Sequence, residues 1–162
     1  MMKNTEKHYR RVTRLTDYDY KLPGVYYVTL VVKDREHLLG EIIQGEMQLS
    51  QFGKIAEQTW LVLPNKFPHL SNEDYTIMPD HMHGLLAFSE AINAGLPEII
   101  RYFKSFSARR INHVRKCLGI AVWQRNYYEH VVRTDDEFNI IRQYIRENPM
   151  RWELKNNPRQ HP

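Results

Sequence analysis

Residues 25–32 read Val-Tyr-Tyr-Val-Thr-Leu-Val-Val, β-branched or aromatic at nearly every position. Such a run suits the interior of a sheet, and it predicts a buried strand entered from the Pro23-Gly24 turn. Two further strands are predicted at Asp74–Met78 (DYTIM) and His81–Phe88 (HMHGLLAF), joined at Pro79-Asp80. Between them and the first strand, Glu41–Ile43 and Glu46–Leu49 flank Gln44-Gly45 as a small hairpin.

The remaining segments are helical or irregular. Ser50 caps a helix whose apolar positions Phe52, Ile55, Ala56, Trp60 and Leu63 recur at helical spacing until Pro64. Pro97 opens a long helix with Ile100, Phe103, Ile111, Val114 and Leu118 along one stripe. Residues 121–132 (AVWQRNYYEHVV) are aromatic and extended, a loop plus a short strand in which Trp123 is a structural anchor. Thr134-Asp135-Asp136-Glu137 is a capping box, so a last helix runs through Phe138, Ile141 and Ile145 to Asn148, where Pro149 is expected to end it. This order favours an α+β sandwich with a mainly antiparallel sheet over a doubly wound parallel one. With 162 residues, one domain is expected, with a basic arm over 1–23 and a short irregular tail over 150–162.

Composition narrows the function classes. A single cysteine, Cys117, excludes an internal disulfide framework and a cysteine-cage zinc site. The first residues, MMKNTEKHYRR, have no apolar run behind them, and the longest apolar runs are too short to span a bilayer. A cytoplasmic protein without a membrane partner is therefore expected. The net charge of +4 is modest, but it is concentrated. Lys3, Lys7, Arg10, Arg11 and Arg14 oppose only Glu6, and Arg101, Lys104, Arg109, Arg110, Arg115 and Lys116 oppose only Glu98. Two such blocks fit either a polyanion-binding face or a solvated helix and a charged tail.

Alternation along a strand sends His81 and His83 to one face and Met82 to the other, so the two imidazoles can share one metal ion. Alone this proves little, since eight histidines in 162 positions give about 0.4 such pairs by chance. The last helix offers Tyr144 and Asn148, one turn apart and hence on one face. A phosphodiester can be cleaved by transfer of its phosphorus to a protein hydroxyl. A phenol titrating near pH 10 needs a metal on the phosphate to do this at neutral pH. Two imidazoles and an amide oxygen suit Mn²⁺ or Mg²⁺, with Mg²⁺ preferring more oxygen ligands. Tyr127 and Tyr128 are rival nucleophiles by composition, although they precede the helix. Tyr26 and Tyr27 alternate faces of the first strand; core packing is the expected role, with stacking of one of them on a base as the alternative. Asp80 beside the pair either orients a ligand from behind or competes for the ion.

Together these residues carry a resemblance. Met78-Pro79-Asp80-His81-Met82-His83-Gly84 resembles the HUH motif of single-domain tyrosine transposases. Residues 122–130 (VWQRNYYEH), Tyr144-Ile145-Arg146-Glu147-Asn148-Pro149 and residues 20–29 (YKLPGVYYVT) resemble the branch called REP-associated tyrosine transposases. The resemblance runs from about residue 10 to about 153, nearly the whole chain. It implies a ferredoxin-like or RRM-like sandwich with helices packed on one face and the histidine pair on a central strand. It also implies cleavage and transfer of single-stranded DNA, at hairpins, through a 5′-phosphotyrosine and a free 3′-hydroxyl. By motif, Tyr144 would be the nucleophile, and His81, His83 and Asn148 the ligands of Mg²⁺ or Mn²⁺. Arg10, Arg11, Arg14, Arg101, Lys104, Arg109, Lys116 and Arg125 are the expected DNA contacts. Monomer and homodimer are both compatible with this reading. An inactive nucleic-acid-binding module on the same fold is the alternative. A phosphodiesterase built on two H-x-Ser/Thr motifs is disfavoured, because no pair of them occurs.

Overall fold

A computed structural model of the chain describes residues 19–20, 22–91 and 93–157. The basic arm through residue 18, with Arg10, Arg11 and Arg14, lies outside the described residues.

Four strands form one antiparallel sheet in the order β4-β5-β1-β6. They are β1 (Gly24–Val31), β4 (Leu70–Ile77), β5 (His81–Phe88) and β6 (Tyr128–Val132). The two most apolar runs of the sequence are thus the two central strands, as a chain that buries its β-branched residues requires. A separate hairpin pairs β2 (Gly40–Ile43) with β3 (Glu46–Leu49) around Gln44-Gly45, both at positive φ.

Alternation divides the central strands into two faces. Tyr26, Val28, Leu30, Met82, Leu86 and Phe88 are buried on one of them, under α1 (Gln51–Leu61) and α3 (Gly95–Val114). The Ser50 hydroxyl starts α1 by accepting from the Phe52 and Gly53 amides at 3.2 and 3.1 Å, while donating to the Leu38 carbonyl at 2.7 Å. Trp60 is fully buried, edge-on to Phe103 of α3, and lies over Gly84, where a Cβ would stand 2.2 Å from the indole ring. Trp123 is buried as an anchor, its indole N–H donating to Ser107 at 2.9 Å.

Besides the earlier starts of β4 at Leu70 and α3 at Gly95, three boundaries differ from the sequence expectation. Pro64 opens a short helix of its own, α2 (Leu63–Lys66), since proline is tolerated in a first turn. α3 ends at Val114, where the Asn112 carbonyl takes the Cys117 amide and the Asn112 side chain donates to the Ile120 carbonyl at 2.7 Å. Leu118, expected on its apolar stripe, is 90% exposed beyond it. The third difference matters most. α4 (Asp135–Asn156) continues through Pro149, so residues 150–156 are helical and not an irregular tail. Proline removes one backbone bond, but tertiary contacts hold the extension. Met150 lies against the Gly45 turn, Trp152 stacks near His37, and Glu153 is buried. α4 therefore packs on the hairpin and on β4 and β5, over the sheet face opposite α1 and α3.

The Trp60–Gly84 contact makes the first prediction. Gly84→Ala should destabilise the protein by about 1–3 kcal/mol, because a buried indole cannot yield without disturbing the helix that carries it. Urea unfolding measures this, and an unchanged midpoint would contradict the packing described.

Candidate active site

His81 and His83 project from β5 away from the Trp60 core. The turn before them is fixed by backbone bonds: Val32 donates to the Asp80 carbonyl at 2.9 Å and Leu39 to the Pro79 carbonyl at 3.1 Å. The two Nε2 atoms stand 3.1 Å apart, with the rings inclined at 74°. Two nitrogen lone pairs do not face one another at that distance, so the gap suits a shared proton or a cation.

Each imidazole is held from behind. His81 Nδ1 donates to Asp80 Oδ1 at 2.5 Å, and Arg35 donates to Asp80 Oδ2 at 3.3 Å. Burial works to raise the Asp80 pKa, but the His81 bond and the Arg35 charge outweigh it and hold it below the usual carboxylate value. Asp80 therefore orients His81 with one oxygen while the other faces Arg35. Behind His83, the hydroxyls of Tyr27 and Thr29 both lie 2.8 Å from Nδ1. Burial above all, with His81 alongside, pushes the His83 pKa down to about 3. A ring neutral at physiological pH keeps the lone pair that a ligand needs. Burial also raises the Tyr27 phenol above its ordinary value, so it stays protonated.

α4 brings Tyr144 to this pair. Its ring is 5.5 Å from that of His83 and 41% exposed, with the Arg151 guanidinium 5.7 Å over its face. One turn on, Asn148 is buried on the same helix, its amide directed at the Tyr144 carbonyl at 3.4 Å. Trp152, on the extension beyond Pro149, comes within 5.9 Å of the His81 ring. Among the described residues, no group of three His, Cys, Asp or Glu side chains is placed to hold an ion. Asn148 lies on α4 between Tyr144, whose ring meets His83, and Trp152, whose ring meets His81.

The expected basic contacts do not converge here. Arg101 and Arg109 are exposed on α3, beyond the sheet from the histidines, and Lys116 is exposed past its end. Lys104 ties α3 to the following loop, its ammonium donating to the carbonyls of Gln124, Arg125 and Asn126 at 2.7, 3.4 and 3.1 Å. Arg125 is exposed in that loop. Sequence reasoning missed Thr29, Arg35 and Trp152. Thr29 pairs with His83 in the ladder and could have been found by alternation once that register was known. Arg35 reaches the site from an irregular turn at φ 52°, and Trp152 depends on a helix crossing a proline, so neither left a signal.

The buried neutral imidazole makes stability depend on pH. Without metal, the unfolded chain protonates His83 near 6.5, whereas the folded chain resists protonation down to about 3. The unfolded state then binds more protons, so stability falls as pH drops through this window, by up to about 1.4 kcal/mol per pH unit. Urea unfolding in chelator should show a shallower acid slope for His83→Gln than for wild type. Equal slopes would contradict the burial of a neutral His83.

Comparisons with known proteins agree with this architecture. The family described as "Transposase IS200 like" matches residues 24–148. An uncharacterized protein of Haemophilus influenzae is 34% identical over 168 residues, covering 93% of this chain and 93% of its own length. A second H. influenzae protein, named "Putative REP-associated tyrosine transposase", is 25% identical over 142 residues, 82% of this chain and 74% of its own. Among solved structures, a REP-associated tyrosine transposase bound to a REP hairpin shares the fold, with a TM-score of 0.64 and 18% identity over 83% of this chain and 72% of its own. A Deinococcus radiodurans protein, described as a "putative transposase", gives 0.52 and 19% identity over 82% and 95% of the two chains. No helix among the described residues is long and apolar enough to cross a membrane. The match over residues 24–148, together with the shared fold, identifies the chain as a member of the IS200-like transposase family.

Proposed function

We propose that the chain cleaves single-stranded DNA and transfers the strand through a covalent link to Tyr144, in DNA transposition or a domesticated form of it. The observation that carries this reading is the approach of the Tyr144 ring to within 5.5 Å of His83, beside two imidazole nitrogens 3.1 Å apart.

In this reading the Tyr144 oxygen attacks the scissile phosphorus, forming a tyrosine–phosphate bond as the bond to the 3′ oxygen breaks. The phenol loses its proton and the departing 3′ oxygen gains one. The chain is left with a 5′-phosphotyrosine and a free 3′-hydroxyl, and the bond energy is kept for rejoining. His81, His83 and the Asn148 amide would hold Mg²⁺ or Mn²⁺. That ion, when bound, would withdraw charge from the phosphate oxygens and so ease attack by the phenol. Asp80 and the Tyr27–Thr29 hydroxyls keep both imidazoles turned toward it, and the neutrality of His83 keeps its lone pair available. Arg151, over the Tyr144 ring, is paired with Glu147 at 2.7 Å and so helps to hold the helix face that presents the ring. A DNA hairpin is the proposed partner, since a structural relative was solved bound to one. Arg125 and the N-terminal arginines are proposed contacts to it.

Labelled single-stranded DNA from the flanks of the chain's own gene provides the test, with products resolved on a denaturing gel. Wild type in Mn²⁺ should give a shifted protein–DNA band that disappears in chelator and in Tyr144→Phe. Cleavage without any adduct would make the reaction hydrolytic and remove Tyr144 from the chemistry. Hairpin binding without cleavage, unaffected by chelator or by Tyr144→Phe, would favour the inactive binding module. A second prediction concerns Asp80. Asp80→Ala should weaken Mn²⁺ affinity or adduct formation about 10- to 100-fold, as loss of a group that orients a metal ligand commonly does. An unchanged Mn²⁺ dependence would show that His81 needs no such support.

A further inference from the structure

The sheet face that carries the histidines extends past them, and its far side is paved with aromatic rings. α4 packs on β4 and β5, whereas β1 and β6 continue the same face toward the sheet edge. Thr29 of β1 pairs with His83 on one side and with Tyr128 of β6 on the other, so these three residues form one row across the sheet. The rings run without a gap: Tyr144 to His83 at 5.5 Å, His83 to Tyr27 at 5.7 Å, and Tyr27 to Tyr128 at 5.9 Å.

The three tyrosines in this row have different surroundings. Tyr27 is behind His83 and bonded to it. Tyr144 stands on the helix. Tyr128 is 38% exposed at the end of the row, and it meets Tyr27 at 70°. An edge-to-face contact covers at most one face of a ring, so Tyr27 leaves a face of Tyr128 uncovered. Arg125, three residues earlier, lines a cavity with Tyr127 and α3, so it is not part of this face. A single strand whose phosphate lies between Tyr144 and the histidine pair cannot continue through α4, and Glu137 of α4 meets β6 at His130, so the open path is past the Tyr128 end of the row. An exposed aromatic ring on an open part of a sheet face is an arrangement on which unpaired bases stack.

We propose that Tyr128 is a stacking platform for a base of single-stranded DNA close to the scissile phosphate. This rests on the strand-cleavage reading for its place beside the chemistry, but its binding role can be measured separately. Tyr128 then positions the strand and takes no part in bond making.

Equilibrium binding of wild type, Tyr128→Ala and Tyr128→Phe to labelled oligothymidylate, and to an abasic oligonucleotide of the same length, separates stacking from backbone contacts. Tyr128→Ala should weaken oligothymidylate binding about 5- to 150-fold and leave abasic binding within about twofold, while Tyr128→Phe keeps both. Equal losses on the two oligonucleotides, or no loss on either, would overturn the platform. The same proteins, carried into the adduct gel, keep the two readings apart. Wild type that forms no adduct but shows the base-dependent loss would refute cleavage and leave Tyr128 as a binding residue. Tyr128→Phe that binds normally but forms no adduct would make Tyr128 the nucleophile and end its assignment as a platform.

Discussion

Strand β5 is covered on both faces, and its two-residue period assigns them different chemistry. Met82, Leu86 and Phe88 enter the apolar core, and Gly84 makes room there for Trp60. His81 and His83 are thereby forced to the opposite face, neighbours at a spacing that one ion can bridge. A slip of one residue in the β1–β5 register would put both imidazoles among Phe103 and Trp60, so the core that stabilises the fold also fixes the histidine pair. The glycine inside the motif is part of the same constraint, since an indole already fills the space where its side chain would be.

The second determinant is α4. Its length exceeds what its own sequence supports, because Pro149 interrupts the hydrogen-bond ladder. The part before the proline carries Tyr144 and Asn148, and the part after it carries Trp152 and Glu153 onto the hairpin and the His81 ring. Docking at both ends sets the height of Tyr144 over the sheet. Asp74 on β4 contributes by accepting from Arg142 and Arg146 at 3.2 and 2.9 Å, two residues flanking Tyr144. These pairs are partly exposed and individually worth little, but together they fix the rotation of the helix.

The sequence foretold much of this for identifiable reasons. Periodicity located the strands and the hairpin, because β1 and β5 are apolar on nearly every residue and Gln44-Gly45 is a strong turn. Ser50 and the Thr134–Glu137 box marked two helix starts, since caps act through local bonds. The failures share a cause: they were decided by contacts that local rules do not show. Pro149 was read as a stop because local backbone rules favour one, and the packing that overrides them comes from residues a hundred positions away. Leu118 was placed on the stripe of α3 because periodicity does not reveal that Asn112 ends the helix before it. Of the candidate site, the motif singles out the histidines, Tyr144 and Asn148, and the structure brings the rings of His81, His83 and Tyr144 together. Their supports, Arg35, Thr29 and Tyr27, acquired meaning only from the register.

The central claim is that the DNA phosphate is carried by Tyr144 and by no other of the tyrosines gathered on this face. Mass spectrometry of the adduct formed in Mn²⁺, trimmed with nuclease and digested to peptides, tests it most directly. The account predicts a nucleotide on the peptide containing Tyr144. A nucleotide on Tyr27, Tyr127 or Tyr128 would contradict it.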